Sequence, residues 1–289
     1  MTDETRSLAR RAGLLYVLAS STAPFSYLYV PDALIVKGDV LATADRVRAS
    51  EGLLRAAIIG ELYAATLLVF AALALYQLFK GVDQRISALM AAMILVSVPI
   101  SYVNALSHIA PLVLLKSPAI AAVLDPRQMA AQVTLFLRLH NYGLVINQIF
   151  WGLWLFPIGV LVMRSGFIPR WLAYPLFFAG AGYVLNSLGM LVLPPSLRWL
   201  TENLQILGVG EVPFFSFYLL IWGVRGYAVD RLAALLVLTL FAMGTASVGL
   251  LMLHRIDATQ YAIVTLASLL VVFGLVMRWR SEPSAEATT

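Results

Sequence analysis

The stretch Leu53–Phe79, LLRAAIIGELYAATLLVFAALALYQLF, decides the fold. Its apolar residues do not alternate with polar ones. They run on past the ~20 residues that carry an α-helix across a hydrocarbon core of ~30 Å. Seven further runs share this texture, each bounded by charges, prolines or glycines: Ala12–Val30, Ile86–Ile109, Leu135–Met163, Trp171–Leu193, Leu204–Val224, Leu232–Leu253 and Tyr261–Met277. The whole chain of 289 residues is 61% hydrophobic and only 12% charged, with a mean hydropathy of +0.87. A soluble domain needs roughly 25% charged residues to cover its surface. Soluble and disordered readings therefore fail, and the sequence predicts an all-α, polytopic transmembrane helix bundle of about eight spans. No compositional break marks a second domain, so residues 1–289 read as a single membrane domain whose partner is the lipid bilayer.

Other totals exclude chemistry. With no cysteine there is no disulfide framework, zinc-thiolate site, iron–sulfur cluster or cysteine nucleophile. The net charge of +5 comes without any basic stretch interleaved with aromatics, so no nucleic-acid partner is expected. No phosphate-binding GxxxxGK[ST] loop and no GxSxG nucleophile elbow occurs. The positive charges have a simpler use, which is to orient helices. An even number of spans puts both termini on one side, and every short connection on that side carries two cations. The reading is a bacterial inner (plasma) membrane protein with cytoplasmic termini. Arg10 and Arg11 precede the first span, but Asp3 and Glu4 interrupt a signal-type basic region and the apolar run resumes through Phe25–Val30, so a retained helix is expected.

Three connections share a pattern of cation, glycine and arginine: Lys80–Arg85, Arg164–Arg170 and Arg225–Arg231. A glycine can end a helix in a left-handed cap, and Pro169 suits the first turn of the next one. These predict tight helical hairpins at the cytoplasmic face. On the opposite side, Val40–Ser50 has the periodicity of a short surface helix, and Asp125-Pro126 starts a helix leading into the fourth span.

Ionisable groups inside the spans carry the functional signal, because keeping them there costs free energy. Counting residues from the span ends puts Glu61 and Glu211 roughly 10 Å beneath the outer surface at ~1.5 Å per residue. His140, Asn186, Asn104 and His108 fall near the same depth. Ser97, Ser101, Asn104 and His108 recur at helical spacing and form one polar stripe. His140 and Asn147 share a face of the fourth span, with Gly143 between them leaving room. Gly60 and Gly210 precede the two glutamates, where a partner backbone or a ligand could come close. Taken singly, an asparagine or serine in a membrane helix more often bonds a neighbouring helix, at ~0.6 kcal/mol per contact. Two carboxylates and two imidazoles at one level make a polar pocket the economical reading. Arg138 reads as a residue that reaches the outer headgroups, and Trp151, Trp154 and Phe214 as lipid-facing or packing aromatics.

Ligand-binding candidates are thus Glu61, Asn104, His108, His140, Asn147, Asn186 and Glu211. The leading expectation is a non-enzymatic role in which the pocket binds, senses or moves a small molecule, with no cofactor. The alternative is a membrane enzyme that uses the same residues to hold zinc or iron through Glu61, Glu211, His108 and His140, or haem between the two histidines. Glycines such as Gly180, Gly182, Gly244 and Gly249 offer close-packing surfaces within or between chains.

Several short motifs, taken together, resemble one family. His140-Asn141-Tyr142-Gly143 opens a helix, Phe150-Trp151-Gly152-Leu153 lies within it, and Ser165-Gly166-Phe167-Ile168-Pro169-Arg170 follows it. With Gly182-Tyr183 and Gly210-Glu211 downstream, the chain resembles bacterial membrane proteins of domain-of-unknown-function family 4386. Ala173 stands where that family usually has glycine. The resemblance covers about residues 9–225 and implies a six-helix core without an established activity. It leaves residues 232–278 as two additional helices.

Overall fold

The computed structural model describes residues 3–202, 204 and 211–224. The seventh and eighth predicted spans, the third hairpin and part of the sixth span lie outside the described residues. Among the described residues every regular element is helical. In chain order the α-helices are α1 (Asp3–Ser20), α2 (Val30–Leu34), α3 (Val40–Ala49), α4 (Glu51–Phe79), α5 (Gln84–Lys116), α6 (Pro118–Ala121), α7 (Pro126–Ser165), α8 (Ala173–Val192), α9 (Trp199–Glu202) and α10 (Phe217–Ile221). Four described helices are long and apolar enough to cross a membrane: Glu51–Phe79, Gln84–Lys116, Pro126–Ser165 and Arg170–Val192, the last comprising a 3₁₀ turn and α8. The fold is an all-α membrane-helix bundle.

The long helices pack in a chain of neighbours, α1 on α4, α4 on α5, α5 on α7 and α7 on α8, while α10 closes on α1. The two described hairpins turn at the same end, where Arg164 Nη1 lies 2.9 Å from Asp83 Oδ2. Asp83 also caps α5 by accepting from Ile86 N at 3.0 Å. Gly166 ends α7 with φ +69, the left-handed cap expected there. Gly81 does not share it: Lys80 leaves α4 in a right-handed helical conformation. On the opposite end the short surface helix is present as α3, with Asp39 as its N-cap. Asp125 and Gln128 form a capping box that starts α7. The fourth span and its leader are therefore one helix of 40 residues, about 60 Å long and twice the thickness of a hydrocarbon core.

The first span departs from a continuous helix. α1 stops at Ser20, a turn follows, and a π-helical segment, Pro24–Tyr29, leads into α2. Pro24 and Pro31 each remove an N–H from the ladder. The polar groups at the break are satisfied by α4: Thr22 Oγ1 donates to Gly60 O at 2.9 Å and Ser26 Oγ to Ala57 O at 3.3 Å. These hydroxyls tie the break to α4, while its backbone is bonded within the segment, Ser26 N to Thr22 O at 2.9 Å and Val30 N to Phe25 O.

Buried apolar side chains form two separate clusters. One, near the hairpin turns, includes Tyr16, Leu75, Phe79, Ile94, Trp154, Ile158 and Leu172. The other, at the opposite end, includes Leu34, Val47, Leu54, Ile58, Leu112, Met129 and Leu137. Along α4 the second cluster ends at Ile58 and the first resumes at Ala71; along α5 the gap runs from Ile94 to Leu112, and along α7 from Leu137 to Trp154. Glu61, His108 and His140 all fall in these gaps, so the polar residues form a layer between two apolar cores.

A buried carboxylate between two stacked imidazoles

Glu61 projects from α4, His108 from α5 and His140 from α7, and all three are buried. His140 Nε2 is 2.9 Å from Glu61 Oε2 in a hydrogen bond. His108 Nδ1 is 3.1 Å from Glu61 Oε1. The two imidazoles stack face to face with centroids 3.4 Å apart and planes 15° from parallel. One carboxylate thus spans two rings with one oxygen directed at each. Three donor atoms, one from each residue, lie within 4.8 Å of one another.

The neighbouring polar residues hold the helices that carry this group. Asn104 Nδ2 donates to the backbone oxygen of His140 at 3.0 Å. It can do so because Gly143 has no side chain, since a Cβ there would collide with the Asn104 amide. Asn147 Nδ2 donates to Ser101 Oγ at 2.7 Å, a second link between α5 and α7. Ser101, Asn104 and His108 of the stripe therefore face α7, while Ser97 Oγ donates to Ile94 O within α5. Gly60 admits the side chain of Ser26, which lies 2.6 Å from where a Cβ would stand.

Two candidates sit elsewhere. Asn186 Nδ2 donates to Gln148 Oε1 at 2.8 Å and so ties α8 to α7. Glu211 accepts from Tyr16 Oη at 2.6 Å, in a buried pair between α1 and the segment before α10. Tyr16 packs edge-on against Trp154 at 5.1 Å, and Tyr183 is within electrostatic reach of the Glu211 carboxylate. The predicted single polar level thus divides into a Glu–His–His group, asparagine links around it, and a separate Tyr–Glu pair. Sequence reasoning passed over Tyr16, whose hydroxyl has no signature inside an otherwise apolar span. It also passed over Tyr27, which sits within electrostatic reach of Glu61 and packs on Trp151 at 5.9 Å. Arg138 is exposed, and Gly210 lies outside the described residues. Trp154 is a packing residue, whereas Phe214 is exposed. Gly180 packs within the chain, its carbonyl oxygen 2.6 Å from where a Cβ on Gly152 would stand.

What can this arrangement do? The ligand set His₂Glu is one that zinc uses when it keeps a coordination position open for water or substrate. Metal bonds of about 2.0–2.2 Å bring neighbouring donor atoms roughly 3 Å apart. Here the two histidine contacts of Glu61 are 2.9 and 3.1 Å through different carboxylate oxygens, and one donor atom from each residue lies within 4.8 Å of the others. Rings stacked at 3.4 Å leave no gap for a porphyrin between them.

Comparison with known proteins identifies a family and assigns no chemistry. The model of a family described as a domain of unknown function, DUF4386, matches residues 11–223. An uncharacterized protein of Archaeoglobus fulgidus is 31% identical over 170 residues, covering 57% of this chain and 83% of that one. No solved structure matches the chain.

Proposed function

The chain belongs to the DUF4386 family, and we propose that Glu61, His108 and His140 hold one divalent transition-metal ion, zinc or iron, as the centre of a multi-pass membrane enzyme. The observation that carries this reading is the convergence of three buried donor atoms, one each from Glu61, His108 and His140, within 4.8 Å of one another. A carboxylate and two imidazoles brought together from three helices form a donor set that a single ion would suit. Three protein ligands leave a position for water, which fits a catalytic site better than a structural one. Glu61, His108 and His140 would hold the ion, which would supply a polarised water or a Lewis acid for hydrolysis.

The broader reading, a pocket lined by all seven polar candidates, has less support, because Glu211 and Asn186 are each engaged by a protein partner. Haem has less support because of the stacked rings. In this reading the bundle lies in a bacterial inner membrane with cytoplasmic hairpins, and reporter fusions after Arg85 and Arg170 should both read cytoplasmic.

The deciding experiment is elemental analysis of the full chain purified in detergent without chelators, after growth with added zinc and iron. The expected result is about one ion per chain, lost in Glu61→Gln and in His140→Ala. A folded wild-type protein that carries no stoichiometric metal overturns the proposal, and a Soret band would transfer support to haem.

A further inference from the structure

A groove of about 620 Å³ opens between α4 and α5 at the end of the bundle away from the hairpins. Its walls are Ile59, Ile109 and Val113, and its rim carries Arg55, Lys116 and Ser117. The floor includes Ile58 and Leu112, each about one helical turn from a residue of the buried site: Ile58 precedes Glu61 by three positions and Leu112 follows His108 by four. We infer that this groove seats an anionic phospholipid, with its phosphate between Arg55 and Lys116 and one acyl chain over Ile59, Ile109 and Val113.

Three observations favour that occupant. First, the groove is amphipathic along its length, with cations at one end and only apolar side chains toward the middle of the bundle. Second, the cations are held in place without being used up. Glu51 Oε1 accepts from Arg55 Nε at 2.6 Å and lies 2.8 Å from Lys116 Nζ. That leaves the terminal nitrogens of Arg55 and two further N–H donors of Lys116 for a phosphate. With one carboxylate against two cations, the rim keeps a net positive charge. Third, the spacing suits a lipid. Arg55 lies about 9 Å along α4 from Glu61, and Lys116 about 12 Å along α5 from His108. A phosphate fixed at the rim therefore lets the glycerol esters and upper acyl chain hang toward the layer that holds the histidines. That a phospholipid is also the substrate class rests on the metal-centre reading; the seat itself does not.

The test is native mass spectrometry of the full chain released from mixed micelles with equal phosphatidylglycerol and phosphatidylcholine of matched acyl chains. Wild type should retain phosphatidylglycerol preferentially. The preference should fall about fivefold for each cation removed in Arg55→Gln and Lys116→Gln. Val113→Trp fills the groove from an exposed position and should reduce retention of both lipids with the rim intact. Should Arg55→Gln not fold, Lys116→Gln and Val113→Trp still decide. No preference in wild type, an undiminished preference in the cation variants, or full retention in Val113→Trp overturns the inference. Zinc content is measured on the same samples: Glu61→Gln should lose metal yet keep the lipid preference. A protein that never holds metal but keeps that preference removes the metal reading and leaves the seat standing.

Discussion

Glu61 Oε1 lies 3.1 Å from His108 Nδ1, and both residues are buried. A buried carboxylate is costly unless its oxygens are engaged, and here each oxygen faces an imidazole nitrogen. On the other side of the same carboxylate, Oε2 bonds His140 at 2.9 Å. One carboxylate thus serves both rings, and three donor atoms from three helices lie within 4.8 Å of one another.

If an ion completes the group, it must stabilise the folded protein. At a zinc concentration 100 times the dissociation constant the gain is about 2.7 kcal/mol. Thermal unfolding in detergent should shift upward on adding zinc to metal-free wild type. Glu61→Gln keeps the size of the side chain and removes the charge, so its midpoint should stay where it is when zinc is added. An equal upward shift in both proteins would place zinc elsewhere in the molecule.

Gly143 and Asn104 give a prediction that does not depend on metal. A methyl at position 143 collides with the Asn104 amide, which holds the backbone of His140. Gly143→Ala should destabilise the protein by about 1–3 kcal/mol, as overpacking does. In an Asn104→Ala background the space is free, so the same substitution should cost little. A double-mutant cycle on unfolding in detergent measures the coupling, which should be of the same size as the single cost. Additive effects would mean that the two helices separate readily at this level.

Much of this architecture was readable from residue order, for stated physical reasons. The apolar runs located α4, α5, α7 and α8, because a bilayer demands length and hydrophobicity and little else. Counting along antiparallel spans put Glu61, His108 and His140 at one depth, and the structure brings those three together. The same counting put Glu211 and Asn186 level with them, but depth says nothing about azimuth: Glu211 faces Tyr16 and Asn186 faces Gln148. The break after Ser20 was also hidden. Pro24 and Pro31 were visible, but whether a proline kinks or interrupts a helix depends on who receives the displaced backbone bonds. Here the backbone bonds stay within the segment, Ser26 N to Thr22 O and Val30 N to Phe25 O, while the Thr22 and Ser26 hydroxyls anchor the break to Gly60 O and Ala57 O of α4.

The Tyr16–Glu211 pair should behave as a packing element separate from the histidine group. Tyr16→Phe leaves the buried carboxyl without its donor and should cost about 1–3 kcal/mol. Glu211→Gln retains a side-chain oxygen that can accept from the tyrosine hydroxyl, so it should cost less. Both variants should keep the zinc content of wild type. Loss of metal in Tyr16→Phe, with the fold intact by circular dichroism, would join the two polar groups into one site.

At the hairpin end, Asp83 does two jobs that substitution can separate. One carboxylate oxygen accepts from Ile86 N as the cap of α5, and the other pairs with Arg164 across the two turns. The Arg164 side chain is 56% exposed, so the ion pair is screened by water and should be worth about 0.2–1 kcal/mol at most. The cap should be worth about 1 kcal/mol. Asp83→Asn keeps the cap and loses the charge, so it should be close to neutral. Asp83→Ala loses both and should unfold more readily by about 1–2 kcal/mol. Arg164→Ala should resemble the asparagine variant, and raising the salt concentration should bring wild type toward both. Were Asp83→Asn as damaging as Asp83→Ala, the ion pair between the turns, and not the cap, would be what closes this end of the bundle.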